Sequence, residues 1–455
     1  MLAEIFKPFI KKSPVSVMVR GAMEKLLAAT WADRVFEESA DGQYTRTLLF
    51  SSVVGLMCQV VLGRRKSIHA AYMPEMEEIG VSVTSVYNKL NGISTVTAAA
   101  LVRESAAECA NVVRELGGER APWLAGYRVR ILDGNCIAGT DHRLKELRQT
   151  AAAALPGKSL VVYDPQLSGV VDVVPWEDGH AQERFFLRAV VSMIKEGDLW
   201  IADRNFCCRG FIQAIIEEGK AFFLFRQHQG LPVRELGKPR RVGTCAAGAL
   251  FEQAVEMVLA DGRTIRLRRI TIRLKKATRD GDQLLHLLTN LPAAVGAREL
   301  ADAYAGRWRI ETAFQEIERD LHSEINTLGY PQAALFAFCV ALVAYNILML
   351  VHAALRAQHG EQKIAQEFSN YYLADEIAAT HRGMMISIPD EHWRTFSEMS
   401  SRAFASLLLF LASKVRLELF KKHKRGPKKP RKKPKADPKH PHVSTARLLA
   451  ERRGE

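Results

Sequence analysis

The chain has few cysteines, and they are spaced poorly for a metal site or for cross-linking. Cys58, Cys109, Cys136, Cys207, Cys208, Cys245 and Cys339 are scattered, odd in number and mostly set in apolar runs, with no CxxC pair. That excludes a zinc ribbon and a disulfide framework, and buried free thiols in a reducing cytoplasm are expected instead. The N-terminal MLAEIFKPFIKK has no clean signal-peptide core or cleavage site. Long hydrophobic runs are scarce. Residues 47–62 are too short to span a bilayer, and residues 333–355 contain Tyr345, Asn346 and His352. A span needs roughly 20 dominantly apolar residues, so both runs are expected to be buried helices, with no membrane partner. None of the six tryptophans falls in residues 221–292.

Acidic residues are absent from one stretch in particular. Residues 421–435, KKHKRGPKKPRKKPK, hold ten Lys or Arg and no acid; without these ten cations the net charge of +14 falls to +4. A strongly basic segment favours polyanions, nucleic acid first and an acidic membrane surface second. Gly426, Pro427, Pro430 and Pro434 interrupt it, so it is expected to be disordered without DNA and to add affinity without reading bases. The whole chain of 455 residues is 48% hydrophobic and 25% charged, which reads as a soluble globular protein of two or three domains.

The apolar spacing predicts helices in the first 125 residues, over 17–27, 44–62 and 96–116. Ser82 to Leu90 places polar N-cap candidates before a short helical pattern, with Arg64, Arg65 and Lys66 upstream. Such a helix suits DNA reading, and equally an ordinary surface. The pattern changes at Arg128. Strands are expected at 128–132, 159–163 and 170–174, a helix at 181–194, a strand at 198–202, a helix at 209–218 and a strand at 221–226. Three strands followed by helical crossovers to further strands is the order of a ribonuclease H-like fold. Residues 250–259 and 264–274 alternate around Asp261-Gly262, a hairpin signal. A strand at 283–291, one long helix at 298–321 and further helices to residue 418, broken near 386–393, complete the reading. The expected fold class is thus α/β, a ribonuclease H-like catalytic core with a β-rich insertion at about 221–292, flanked by helical N- and C-terminal domains. The expected boundaries are 1–125, 126–355, 356–418 (a candidate for dimerisation) and a basic tail at 419–455.

Placement gives three acids weight. Asp133 follows the first strand and Asp203 the fourth, and in this fold those strands are neighbours. Adjacent carboxylates repel unless a cation neutralises them, and Mg²⁺ is the hard cation that prefers oxygen ligands and phosphate substrates. On the helix at 298–321, a rotation of about 100° per residue puts Tyr304, Arg307, Glu311 and Glu318 on one stripe. That stripe suits metal binding beside phosphate clamping, and equally a solvated face with an Arg307–Glu311 ion pair.

The segment Tyr304-x-x-Arg307-x-x-x-Glu311 resembles the signature helix of bacterial DDE transposases of the insertion-sequence-four family, whose signature is Tyr, Arg, Glu and Lys. Leu287-Leu288-Thr289-Asn290-Leu291-Pro292 is similar to that family's lead-in and Asp203-Arg204-Asn205-Phe206 to its second-Asp motif. The resemblance spans residues 128–355. It implies a DNA transposase that hydrolyses phosphodiester bonds and transfers strands by cut-and-paste, with catalytic and metal-binding residues Asp133, Asp203 and Glu311. It implies two Mg²⁺ ions, with Mn²⁺ as a substitute, and double-stranded DNA as partner, both terminal inverted repeats and target. A homodimer on DNA and a bacterial, cytoplasmic, nucleoid-associated location follow. Expected DNA contacts are Tyr304, Arg307 and Arg319 near the cleaved phosphate, and Lys421, Lys422, Lys424, Arg425, Lys428 and Lys429 in the basic run. Two departures stand out: Glu318 occupies the family's Lys position, and Leu285-His286 stands where relatives often carry a Trp. A ribonuclease H-like nuclease without strand transfer, a DNA-binding protein without catalysis and a membrane-associated polybasic protein are the competing readings.

Overall fold

The computed structural model describes residues 2–40, 42–43, 47–137, 139–141, 143–149, 154–278, 281–422 and 443–453. Its centre is one mixed sheet. Strands β1 (Arg128–Cys136), β2 (Lys158–Asp164) and β3 (Gly169–Trp176) form an antiparallel meander. Strands β4 (Asp198–Ala202) and β5 (Phe222–Arg226) add to it in parallel, β4 beside β1. Every residue of β4 is buried, as a parallel strand covered on both faces requires. This is the ribonuclease H-like order, read correctly from the sequence.

The remaining strands extend the same sheet. They are β6 (Arg240–Thr244), β7 (Gly248–Val258), β8 (Thr264–Leu274) and β9 (Leu284–Thr289). The order across the sheet is β3-β2-β1-β4-β5-β9-β8-β7, with β6 and the short strand Arg234–Glu235 on the outer edge of β7. Strand β9 pairs antiparallel with β5 through Leu287–Arg226, Leu288–Phe225 and Thr289–Leu224. Side chains at its end fasten it. Thr289 Oγ1 donates to the Phe223 carbonyl, Asn290 Oδ1 accepts from Phe223 N at 2.9 Å and Asn290 Nδ2 donates to the Ala221 carbonyl at 3.0 Å. The Leu-Thr-Asn-Leu-Pro run is therefore where the inserted strands lock onto the catalytic core.

Helices cover the sheet. In the N-terminal third, α1 (Pro14–Leu26), α2 (Phe50–Val61), α3 (Val83–Leu90) and α4 (Thr95–Glu115) agree with the apolar spacing. The α3 N-cap is Ser82, whose Oγ accepts from Ser85 N at 3.2 Å. Thr84, Ser85 and Asn88 face solvent, while Val86 and Leu90 are buried. Arg64 is largely buried and points a guanidinium nitrogen at Met23 Sδ, 3.6 Å away, and burial lowers its pKa to about 9. Helix α5 (Arg209–Glu217) covers the other face. The segment at 181–194 departs from expectation: it is a 3-10 turn, Glu183–Phe186, followed by the short helix Leu187–Val191.

The larger correction concerns residues 298–321. They form two helices, α6 (Ala297–Ala305) and α7 (Trp308–Asp320), joined by an elbow. Bonds from Arg307 N to Tyr304 O, Arg309 N to Gly306 O and Ile310 N to Arg307 O tighten the chain to three-residue turns there. Gly306 permits this, because a Cβ at that position would lie 2.9 Å from Trp123 Cζ2, and Arg309 stacks over the same indole at 5.2 Å.

Helix α8 (Pro331–His359) is long and apolar enough to cross a membrane, yet its apolar window is wholly buried in the protein. One hydrophobic cluster runs from Val17 on α1 and Val102 on α4 through Ile131 and Val161 of the sheet to Leu342 on α8. It continues to the C-terminal helices α9 (Asn370–Ser387), α10 (Asp390–Glu398) and α11 (Ser401–Ser413), through Leu373, Trp393 and Leu408. The expected break at 386–393 shrinks to Ile388 and Pro389, and Trp393 is helical and fully buried.

Four cysteines are buried, Cys208 and Cys245 are half-buried, and Cys136 is exposed, against the expectation of buried thiols throughout. The basic run falls largely outside the described residues, Lys424, Arg425, Lys428 and Lys429 among them. Before it, Lys422 N donates to the Glu367 carbonyl and its Nζ donates to the Ala365 carbonyl at 2.8 Å. After it, Val443–Ser444 pairs with Ala154–Leu155. The helix Thr445–Arg453 then docks on Leu144 and Leu147, with Arg447 on Asp178 at 2.7 Å and Arg452 on Glu146 at 3.1 Å.

Candidate active site

The parallel pairing of β1 and β4 ends at Leu132 and Ala202, so the next residues, Asp133 and Asp203, emerge side by side. Strand β1 does not stop there, as the sequence suggested: it continues to Cys136 in antiparallel pairing with β2, which keeps Asp133 on a rigid strand. Backbone donors orient both acids. Gly134 N donates to Asp133 Oδ1 at 3.0 Å, and Asn205 N donates to Asp203 Oδ1 at 2.8 Å, capping the short turn Arg204–Phe206.

The elbow between α6 and α7 brings the third acid over this end. Arg307 is 7% exposed and Tyr304 8%, so both face inward. The Arg307 guanidinium bridges two of the three acids, with Nη1 2.9 Å from Asp133 Oδ2 and Nη2 2.8 Å from Glu311 Oε1. Trp308, 61% exposed, lies beside it, its ring 5.5 Å from the guanidinium carbon. Glu318 and Arg319 near the end of α7 are exposed. The elbow breaks the expected stripe between Tyr304 and Arg307; Arg307 and Glu311 meet at the aspartates, while Glu318, two turns further along α7, is exposed.

The electrostatics follow from burial. Burial pushes the Asp133 carboxyl up to about 7; Arg307 and the Gly134 N–H oppose the rise, and Asp203 and Glu311 add to it. Burial works against the Arg307 charge too, but Asp133, Tyr304 and Glu311 outweigh it and hold its pKa above the ordinary value. Burial likewise raises the Tyr304 phenol to about 12, so it stays protonated.

Among the described residues, no group of three or more His, Cys, Asp or Glu side chains is placed to hold a metal ion as the site stands. The Arg307 guanidinium lies between Asp133 and Glu311. The donor set still suits a hard cation. It is all oxygen, and burial, with smaller contributions from Asp203 and Glu311, pushes the Asp133 carboxyl up to about 7. Sequence reasoning missed one nearby acid, Glu183, whose carboxylate accepts a hydrogen bond from Asn205 Nδ2. Gly134, a glycine inside a strand and therefore a mark of close approach, was the available signal.

The ribonuclease H-like sheet thus carries two aspartates at adjacent strand ends, beneath a helix that bears a glutamate. Residues 124–347 match the family model for the transposase DDE domain. Asp133, Asp203 and Glu311 all fall within the matched span. No curated protein matches the chain. Among solved structures, a cryo-EM structure of the piggyBac transposase synaptic complex with hairpin DNA is similar at a TM-score of 0.39 and 9% identity, over 87% of this chain and 86% of that one.

Proposed function

We propose that this protein is a DNA transposase that cleaves the ends of a bacterial insertion sequence and joins them to target DNA by a cut-and-paste route. Asp133, Asp203 and Glu311 would hold two Mg²⁺ ions, with Mn²⁺ able to substitute. When bound, these cations would activate the attacking oxygen and stabilise the leaving one. The observation that carries the reading is the placement of Asp133 beside Asp203 at adjacent strand ends and the Arg307 guanidinium joining Asp133 to Glu311, all within the matched span.

Arg307 has two tasks in this reading. Without a cation it neutralises Asp133 and Glu311. When cations take over that neutralisation, its planar fork is released to a DNA phosphate, for which a bidentate guanidinium is well shaped. Its buried Nε has no hydrogen-bond partner among the described residues. Tyr304, too buried to approach the DNA freely, serves by holding Arg307. Arg319 on the outer face of α7 and the cations of residues 421–435, from Lys421 onward, are assigned to the DNA backbone. The helical segment 1–125 is assigned to DNA binding and 356–418 to dimerisation on paired ends, in the bacterial cytoplasm at the nucleoid.

A joining assay separates this reading from a simple nuclease. Linear DNA bearing the repeats that flank the coding sequence is incubated with the protein, Mg²⁺ and a supercoiled target plasmid. Covalent end-to-plasmid products are expected. Cleaved ends with no joined product would leave a nuclease, and neither product a DNA-binding protein.

A further inference from the structure

The three acids above come from β1, the end of β4 and α7, and a fourth element reaches the same end of the sheet. After β3 the chain makes the 3-10 turn Glu183–Phe186. Phe186 is buried and packs on Trp176 with ring centroids 4.5 Å apart, which pins the turn and aims Glu183 at the loop ends. Its carboxylate touches one residue on β1 and one in the turn that follows β4. Oε2 accepts from Asn205 Nδ2. Oε1 lies against Gly134, where a Cβ would stand 2.6 Å from Glu183 Cδ and closer still to Oε1. The next residue, Arg184, donates from Nε to the Asn205 carbonyl at 2.8 Å. The turn therefore grips Asn205 by both side chain and backbone.

Gly134 and Asn205 are also the residues whose backbone N–H groups orient the two aspartates, Asp133 at 3.0 Å and Asp203 at 2.8 Å. One glutamate thus braces both carboxylate holders at once. We propose that Glu183 is a positioning residue that fixes the separation and orientation of Asp133 and Asp203, with Gly134 and Asn205 as its two points of purchase. This rests on the metal-dependent reading above. Gly134 belongs to the device because any side chain there would push the Glu183 carboxylate away from Asn205.

Mn²⁺ binding to the full-length protein, measured without DNA from the electron paramagnetic resonance of free Mn²⁺, tests the bracket apart from activity. Glu183→Ala is expected to weaken Mn²⁺ binding about tenfold or more, as loss of a group that orients metal ligands does, while Glu183→Gln, which keeps the acceptor and the shape, stays within about threefold of wild type. Gly134→Ala should weaken binding as Glu183→Ala does. Combining the two should cost no more than either alone, because the new methyl fills the vacated space. Should Glu183→Ala unfold early in a thermal melt, Asn205→Ala opens the bracket from the other side and should give the same loss. Unchanged Mn²⁺ affinity in the alanine variants, failure of Gln to rescue, or additive losses in the double variant would overturn the proposal. Asp133→Ala is run alongside. If it binds Mn²⁺ like wild type, the metal-site reading and the bracket both fall. If it loses binding while Glu183→Ala does not, only the bracket falls.

Discussion

The two halves of the central sheet treat charge in opposite ways. The outer half, β6 to β9 with its edge strand and hairpin turn, carries many arginines, and much of that charge is paired one to one with acids, at the surface for Arg234 and Arg263. Arg234 lies on Glu256, Arg263 on Glu217 and Asp261, Arg268 on Glu252 and Arg269 on Glu235. The inner end, between β1 and β4, brings Asp133, Asp203, Glu311 and Glu183 together, and the Arg307 guanidinium pairs with two of them, Asp133 and Glu311. Matched surface pairs contribute little, typically up to about 1 kcal/mol. Half-buried acids that share a single guanidinium cost stability. The same sheet thus separates charge that decorates from charge that works.

Removing the inner acids should have the largest effect. Asp133→Ala, Asp203→Ala and Glu311→Ala should each lower DNA cleavage about a thousandfold or more, with DNA binding retained in a gel-shift assay. A variant of any of the three that cleaved at the wild-type rate would dissolve the contrast.

Arg307 comes next. In chelator, Arg307→Ala should lose about 3 kcal/mol of unfolding free energy in urea at pH 8, because it strands buried carboxylates. At pH 5, where Asp133 can take up a proton, the loss should shrink. An equal loss at both pH values would mean that Arg307 acts by packing. Arg307→Lys, which keeps the charge and loses the fork, should still reduce cleavage.

The pH response is smaller and has a defined sign. Asp133 has a folded pKa of about 7 against an ordinary 3.8. Its contribution to the stability of the metal-free protein is therefore full below about pH 4 and is lost as pH rises through about 7. The proton and the cation compete for the same carboxylate. Mn²⁺ affinity should rise about tenfold per pH unit up to about pH 7 and then level off. A flat profile between pH 5 and 7 would remove Asp133 from the site. At the bottom of the scale, Arg234→Ala in the outer sheet should change stability by less than about 1 kcal/mol and leave cleavage unaltered.

Much of this was legible in the sequence. Asp133 and Asp203 could be read because buried parallel strands are apolar runs, and each acid marks where the core-forming run stops. Glu311 needed its spacing from Tyr304 and Arg307, which carries the family resemblance. What could not be read depends on contacts distant along the chain. The elbow at Gly306 exists for the ring of Trp123, and no helical wheel drawn on 298–321 contains that residue. Glu183 gave no local signal, since its partners Gly134 and Asn205 lie on other elements. The joining of β9 to β5, which makes the insertion an extension of the sheet, is likewise a long-range pairing. The docking of Thr445–Arg453 rests on a small apolar cluster and two ion pairs, too little pattern to stand out in a basic segment.

The central claim is that Asp133 and its neighbours hold the catalytic cations directly, and a change of metal preference tests it most directly. Asp133→Cys and Asp203→Cys replace a hard oxygen donor with a soft thiolate, which disfavours Mg²⁺ and tolerates Mn²⁺ better. Cleavage of the repeat-bearing DNA by each variant is then compared in the two metals. The expected result is near-complete loss in Mg²⁺ with substantial recovery in Mn²⁺, absent from the matched Asp133→Ala and Asp203→Ala proteins. Equal activity of the cysteine variants in both metals, or recovery by Mn²⁺ in the alanine variants as well, would contradict direct ligation by these aspartates.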